Sequence, residues 1–500
     1  MLESVLYALQ VSLTRDNLFF CFLGVFIGTL IGVLPGIGPI GAMAILLPAT
    51  FGMTTVGTVI MLGGIYYGAM YGGSTTAILV NIPGEAASVV TTLDGYQMAL
   101  HGRAGPALGI AAIGSFIAGT ISVIGIMILA KPLAMAALSF GPPEYFSLMC
   151  LGVTLVVYLA QKSMERAVMA ALMGVLLSGV GMDMFTGLSR MTFGINELND
   201  GLGLIPLVMG LFGISEVLTN MEGELRQEIV KTKIRDLFPN LRDWKESGGP
   251  IIRGSLLGFF VGILPGGGAI ISSFLSYGLE KRLSKRPEQF GKGAIAGVAG
   301  PESANNAAVG GAFIPLLSLG IPANAVIAML YSALIIHGIR PGPFLINEQP
   351  EVFWGVIGSM YIGNAMLLVL NLPLIWVWVQ VLRVPYVILF PLILLFCIIG
   401  TYSVNSSILD LKLMLGFGVF GYLLRKFGFE IAPLCLAFIL GPLLERNLRQ
   451  SLIISQGSFG IFMDRPIAVI CLSITLLLFL STLVPSIKKR LKKLEDLEVT

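Results

Sequence analysis

The chain has 500 residues, of which 55% are hydrophobic and 12% charged, with a formal net charge of +3 and a mean hydropathy of +0.89. A soluble globular protein carries roughly a quarter charged residues, so a water-exposed surface of this size is excluded and the chain belongs in a membrane. The net charge says little about partners, because topology follows where the positive residues sit and not their sum.

In chain order, Met1–Leu13 sets Leu2, Val5, Leu6, Leu9 and Leu13 at helical spacing, which predicts an interfacial helix within residues 1–17. Glu3 ahead of the first apolar run, with no small-residue cleavage pattern, argues against a cleaved signal. A first membrane repeat is expected over 18–220. A polar connector, 221–249, follows; it reads as cytoplasmic and partly helical, closed by the breaker Ser247-Gly248-Gly249-Pro250. A second repeat with C-terminal helices fills 250–484. The basic tail, 485–500, carries Lys488-Lys489-Arg490-Leu491-Lys492-Lys493 and puts the C-terminus in the cytoplasm. Leu108–Ala130 and Pro466–Val484 are uncharged runs of about one bilayer crossing. The expected fold is an all-α polytopic membrane protein of about 10–13 membrane segments.

A glycine-proline motif occurs twice. Gly28-x3-Gly32-x-Leu34-Pro35-Gly36-x-Gly38 returns as Gly258-x3-Gly262-x-Leu264-Pro265-Gly266-x-Gly268, an offset of 230 (258 − 28). Asn81-Ile82-Pro83 is echoed by Gly320-Ile321-Pro322 at 239 (322 − 83), so an indel of nine between the motifs reconciles the two. Proline removes a backbone donor and glycine holds helical geometry poorly, so each copy should break its helix. Broken backbone at membrane depth survives only where protein buries it or where it lines a watery cavity. Duplicated halves with interrupted segments point to a transport site near the midplane.

Flanking charges bear on orientation. The second motif segment has Arg253 before it and Lys281, Arg282, Lys285 and Arg286 after it, so it should enter and leave from the cytoplasm as a re-entrant hairpin. The first has Arg15 before it and no Lys or Arg until Arg103, so it should open on the other face. The repeats are then inverted. Two tilted helices per motif in parallel halves is the rival arrangement.

The candidate substrate-binding positions are the motif residues Pro35, Gly36, Gly38, Gly266, Gly267 and Gly268 with Ser74, Thr75, Thr76, Asn81, Asn305 and Asn306. Free N–H groups at a half-helix start favour a carboxylate. Released carbonyls with Asn and Ser oxygens suit a hard cation such as Na+, for which Asn81, Asn305, Asn306 and Glu302 form the expected vicinity. Plainer roles stand beside these. Ser74, Thr75 and Thr76 could bond between helices; Glu85 and Glu302 could cap helices at surface loops. Asp94-Gly95 reads as turn chemistry and Arg103 as a loop anchor. Glu144, Asp183, Glu216 and Lys412 fit no pattern. Cys21, Cys150, Cys397, Cys435 and Cys471 read as buried small hydrophobes, and His101 and His337 are too few for a His-based metal site. No Gly-x-Ser-x-Gly, HExxH or Walker A pattern is present, so neither an enzyme nor an organic cofactor is expected.

Gly32-Val33-Leu34-Pro35-Gly36-Ile37-Gly38-Pro39, Tyr71-Gly72-Gly73-Ser74-Thr75-Thr76-Ala77, Asn81-Ile82-Pro83-Gly84-Glu85 and Asp94-Gly95-Tyr96 resemble the large membrane subunit, the TctA family, of the tripartite tricarboxylate transporters. Leu264-Pro265-Gly266-Gly267-Gly268-Ala269, Pro301-Glu302-Ser303-Ala304-Asn305-Asn306-Ala307 and Ile314-Pro315-Leu316-Leu317-Ser318-Leu319-Gly320-Ile321-Pro322 do so too, and the similarity runs from about Leu18 to the C-terminal helices. The resemblance implies a multi-pass secondary transporter of the bacterial inner membrane. It would import tri- or dicarboxylates, or related organic carboxylates, handed over by a periplasmic binding protein, and work with a small membrane subunit. It implies coupling to Na+ or protons, and by analogy alternating access of the elevator type; a dimer is one assembly to expect. The alternative is a passive pore for small anions, with the broken segments as its filter. Ile37 stands where the second motif has Gly267, so the two half-sites are not equivalent.

Overall fold

A computed structural model describes residues 2–34, 38–158, 163–222, 237–264, 268–382 and 405–480, with a few residues between 391 and 402. In chain order the main helices are α1 (Leu2–Ser12), α2 (Arg15–Val33), α3 (Gly38–Leu46), α4 (Thr55–Val80), α5 (Ala104–Ala137), α6 (Pro142–Tyr158) and α7 (Met164–Ser178). A two-residue strand pair, β1 (Gly181–Met182) with β2 (Ser189–Arg190), follows. Then come α8 (Leu241–Ile263), α9 (Gly268–Leu283), α10 (Ala296–Ile314), α11 (Ala325–Ile336), α12 (Pro350–Asn371), α13 (Ile408–Lys426), α14 (Ile431–Ile454) and α15 (Pro466–Leu480).

The described residues are helical apart from that strand pair and the connecting loops, as a bilayer demands of backbone that must bond within its own segment. Four of these helices, α2, α5, α12 and α14, are long and apolar enough to cross a membrane. That makes a multi-pass membrane protein. The long α4 and α10 fall outside this set because they are dense in Gly, Tyr, Ser and Asn, which shows where the polar chemistry has been placed. The tail 485–500 lies outside the described residues.

The chain packs as two compact units, Met1–Leu138 with Ile205–Tyr422, and Ser139–Leu204 with Leu423–Thr500. In the first, glycine stripes decide the architecture. A Cβ added to Gly24, Gly28 or Gly32 of α2 would lie 2.3, 2.6 or 2.2 Å from the carbonyl oxygens of Met61, Ile65 and Ala69 on α4. Only glycine lets the two backbones approach so closely. The contacts advance together along both helices, so α2 and α4 run parallel. Gly254, Gly258 and Gly262 of α8 meet the carbonyls of Gly300, Ala304 and Ala308 on α10 at 2.3, 2.1 and 2.3 Å in the same way. The glycines are offset by 230 (254 − 24) and their partners by 239 (300 − 61), the same two offsets that separate the sequence motifs.

Because each pair is parallel, the chain between its members must return to where it began. In the second pair, α9 makes that return: Glu280 near its end accepts from Arg253 Nε at 2.8 Å and Nη2 at 2.5 Å. α8 ends at Ile263 and α9 begins at Gly268.

Long helices then exchange partners. The α5 positions Gly114, Ser115 and Ser122 meet Ser303, Asn306 and Gly310 of α10, while Ser359 and Asn364 of α12 accept from Tyr67 and Tyr71 of α4. The N-terminal α1, expected as an interfacial helix, docks on α12: Ser12 Oγ donates to the Gly355 carbonyl at 2.9 Å, and Gly358 sits against the Ala8 carbonyl.

The Ser247-Gly248-Gly249-Pro250 stretch does not end a helix; α8 runs through it. Proline here forfeits a bond to the carbonyl of Glu246, which is exposed and can be solvated.

In the second unit, Asp183 anchors the loop that carries the strand pair. It ion-pairs with Arg449 at 2.9 Å and Arg190 at 3.4 Å, and both arginines bond Glu445. The backbone N–H of Phe185 above all, then that of Thr186 and the nearby Arg449 guanidinium, hold the Asp183 carboxyl below the usual aspartate range. Gly174 lets α7 cross α14 at the Leu434 carbonyl.

Candidate functional site

The polar residues singled out from the sequence lie in the first unit, and the structure brings several of them together from distant parts of the chain. Ser74 on α4 donates to Glu302 Oε2 on α10 at 2.5 Å, and Thr91 donates to the other carboxylate oxygen. Toward the other end of the crossing, the Tyr66 ring lies 6.4 Å from that of Phe313, tilted by 32°. Contacts that ascend α4 descend α10, so these two helices are antiparallel. Glu302 is 1% exposed, and no ion pair among the described residues involves it or Glu85. A buried carboxylate held only by hydroxyl donors is costly.

Ser74, Thr75, Thr76, Glu302, Asn305 and Asn306 lie inside continuous helices and not beside helix breaks. Their backbone N–H groups are therefore spent within the helix, and their side chains carry whatever chemistry they have. Asn305 Nδ2 donates to Glu85 Oε1 at 3.3 Å. Glu85 also caps a short turn through the Ala87 N–H at 2.7 Å. Asn306 Nδ2 donates to Ser115 Oγ at 2.7 Å and to the Glu302 carbonyl at 3.1 Å. Thr76 donates to the Val33 carbonyl at 2.8 Å, tying α4 to the end of α2.

The breaks themselves lie elsewhere. Pro35, Gly36, Gly266 and Gly267 fall outside the described residues. Gly38 and Gly268, which open α3 and α9, both have positive φ, +64° and +52°, and an added Cβ would meet nothing within 4 Å at either. The first N–H groups of those two helices have no partner within the helix. Asn81 is exposed and ends α4 in the left-handed region at φ 59°, ψ 25°; Gly320 takes the matching position in the second half at φ 70°. Asn81 thus has a backbone duty of its own.

Two small cavities flank Tyr71. One, of about 20 Å³, is lined by Tyr67, Tyr71, Ser122, Asn306, Met360 and Asn364 among others. The other, of about 10 Å³, is lined by Tyr71, Ser74, Thr75, Ser115 and Asn371 among others. Each has room for about one water-sized guest, well short of an organic acid. Tyr71, Ser115, Ser122, Asn364 and Asn371 were missed as site residues. The signal was present: Ser115 and Ser122 on α5, like Asn364 and Asn371 on α12, are polar residues seven apart in apolar segments, hence on one helix face.

Asp94 is not turn chemistry. It lies in a π-helical turn, Thr92–Tyr96, with its side chain buried. Its Oδ1 accepts from the N–H groups of Gly291, Gly293 and Ala294 at 2.8–2.9 Å and its Oδ2 from Tyr277 at 2.9 Å. It clamps the loop before α10. Arg103 pairs with Asp243 at the start of α8. Among the described residues no group of three or more His, Cys, Asp or Glu could hold a metal.

A family model described as the tripartite tricarboxylate transporter TctA family matches residues 18–436. The chain is 50% identical over 484 residues to an uncharacterized 52.8 kDa protein in the TAR-I ttuC' 3' region of Agrobacterium vitis, covering 97% of this chain and 96% of the relative. It is 52% identical over 233 residues to an uncharacterized protein in the TAR-II ttuC' 3' region of the same organism, covering 47% of this chain and 96% of that relative. No solved structure matches.

Proposed function

The chain belongs to the tripartite tricarboxylate transporter TctA family, and we propose that it is the ion-coupled membrane subunit that imports tri- or dicarboxylates across the bacterial inner membrane. A periplasmic binding protein would deliver the carboxylate, and a small membrane subunit would complete the assembly. The observation that carries this reading is that the family match, residues 18–436, contains the whole polar cluster around Ser74 and Glu302.

Inverted repeats are part of the proposal. Their support is the antiparallel crossing of α4 and α10, each with its own parallel glycine-bearing helix. The legs of the α8–α9 hairpin, from Arg253 to the break and from Gly268 to Glu280, are about 15–18 Å long at 1.5 Å per residue. That is about half of a 30 Å hydrocarbon core, the depth at which a re-entrant segment would end near the midplane. The helix starts at Gly38 and Gly268, whose first N–H groups have no partner within their own helices and of which Pro39 supplies none, are the proposed carboxylate contacts. The buried amide and carboxyl side chains of α10, Asn305, Asn306 and Glu302, mark the proposed cation vicinity. Glycine stripes fix α2 to α4 and α8 to α10, so the two pairs suit movement as one block in an elevator-type cycle.

Uptake of radiolabelled citrate, tartrate and succinate into proteoliposomes holding both membrane subunits, with the binding protein added outside, tests this. Accumulation that needs the binding protein and collapses with the ion gradients is expected. Equilibrating flux that survives collapse of every gradient and needs no binding protein would favour a passive pore instead.

A further inference from the structure

The larger cavity beside Tyr71 has a property that sets it apart from an ordinary water pocket: the protons of its polar lining are already committed. Asn306 gives both Nδ2 protons away, to Ser115 Oγ and to the Glu302 carbonyl. Because a carbonyl can only accept, that second bond fixes which way the amide points. Asn364 likewise gives Nδ2 to the Phe116 carbonyl at 2.8 Å and to Thr120 Oγ1 at 3.1 Å. Ser122 Oγ donates to the Gly119 carbonyl at 2.8 Å, Tyr71 donates to Asn364 Oδ1 at 2.5 Å, and Tyr67 donates to the Ser359 carbonyl at 3.5 Å.

What remains for a guest is oxygen lone pairs. Asn306 Oδ1 has no hydrogen-bond partner at all, although Asn306 is 4% exposed. A buried amide oxygen without a partner costs about 1–3 kcal/mol. The surroundings also keep the space from being filled. Gly119 and Gly310 line it, and a Cβ on either would strike Asn364 at 2.9 Å or Ser122 at 2.1 Å. One turn before Asn306 lies the buried Glu302 carboxyl group, with no ion-pair partner among the described residues.

An anion would meet only acceptors here. A cation would meet up to four oxygens: Asn306 Oδ1, Tyr71 Oη, Ser122 Oγ and the second lone pair of Asn364 Oδ1. We infer that this cavity, between α4, α5, α10 and α12, binds one small monovalent cation, Na+. This deepens the ion-coupling reading above and rests on it only for its role in transport, not for binding itself. The site differs from the vicinity expected from sequence. It keeps Asn306, sets Glu302 behind it, leaves out Asn81 and Asn305, and adds residues from α5 and α12. Helices from both halves supply its oxygens, so an ion there would hold the halves in one arrangement.

The test is thermal unfolding of the purified full chain in detergent, without carboxylate, titrated with NaCl at ionic strength held constant by choline chloride. A saturable rise in Tm specific to Na+ is expected. Asn306→Ala and Tyr71→Phe should each weaken its midpoint by about tenfold or more, the usual loss for one ligand or its support. The measured quantity is the Na+-dependent increment, so a variant that is merely less stable lowers its whole curve without losing that increment. Wild-type unfolding indifferent to Na+, an equal response to K+, or wild-type midpoints in both variants would overturn the site. Carboxylate uptake driven by protons alone, without a Na+ response, would sink this inference and leave the transport reading standing. A Na+ response without carboxylate uptake would do the reverse.

Discussion

Ser74 and Glu302 are 228 residues apart in sequence, and the Ser74 hydroxyl donates to the Glu302 carboxylate at 2.5 Å across two antiparallel helices. The bond joins the polar cluster of one half to that of the other, and with Thr91 it is what keeps this carboxylate solvated in place of water.

If Glu302 serves the coupling site, Glu302→Gln should cut carboxylate uptake by at least about tenfold while the protein stays monodisperse. Ser74→Ala should instead show mainly in stability, costing about 1–3 kcal/mol for a lost partner of a buried charged group. Uptake and Tm measured on both variants separate the two roles. Full uptake by Glu302→Gln would remove Glu302 from the mechanism.

Asn81 allows its backbone duty to be separated from any ligand role. Asn81→Gly keeps the left-handed conformation easily and removes the amide; Asn81→Ala removes the amide and strains the backbone by about 1 kcal/mol or more. Equal uptake by wild type and Asn81→Gly, with a lower Tm in Asn81→Ala alone, is expected of a residue that only caps α4. A loss of uptake in Asn81→Gly would establish a ligand role.

The glycine stripes make a sharper prediction than general packing does. Gly28→Ala and Gly258→Ala place a Cβ 2.6 and 2.1 Å from a carbonyl oxygen, so each should cost about 1–3 kcal/mol or more by overpacking. Gly278→Ala on α9 meets nothing within 4 Å and should be neutral, or stabilising by about 0.5–1 kcal/mol. Unfolding midpoints in detergent report all three. Equal behaviour of the three would show that close approach is not what these glycines provide.

The proposed opposite orientation of the two motif segments can be read by thiol labelling in a cysteine-free background. Phe51→Cys at the return end of the first should react with a membrane-impermeant maleimide from the periplasmic side. Lys285→Cys, just past the second, should react only from the cytoplasmic side. Labelling of both from one side would leave parallel halves.

The sequence by itself determined the membrane environment, through too little charge to face water. It also determined the twofold recurrence of the motif, the family, and the amides and hydroxyls worth watching. Those properties are local: they depend on composition, on spacing, and on glycine and proline chemistry that any neighbour must accommodate. It could not say that Ser74 finds Glu302 or that Asn364 finds Tyr71. Nor could it say that Asp94 clamps a distant loop, or that the helix through Pro250 runs unbroken. Those outcomes depend on which helices lie side by side. A hydroxyl or amide in an apolar segment gives the same sequence signal whether it staples a neighbour or faces a ligand. Only the tertiary structure decides, by spending some donors on nearby carbonyls and leaving oxygens such as Asn306 Oδ1 with nothing to bind.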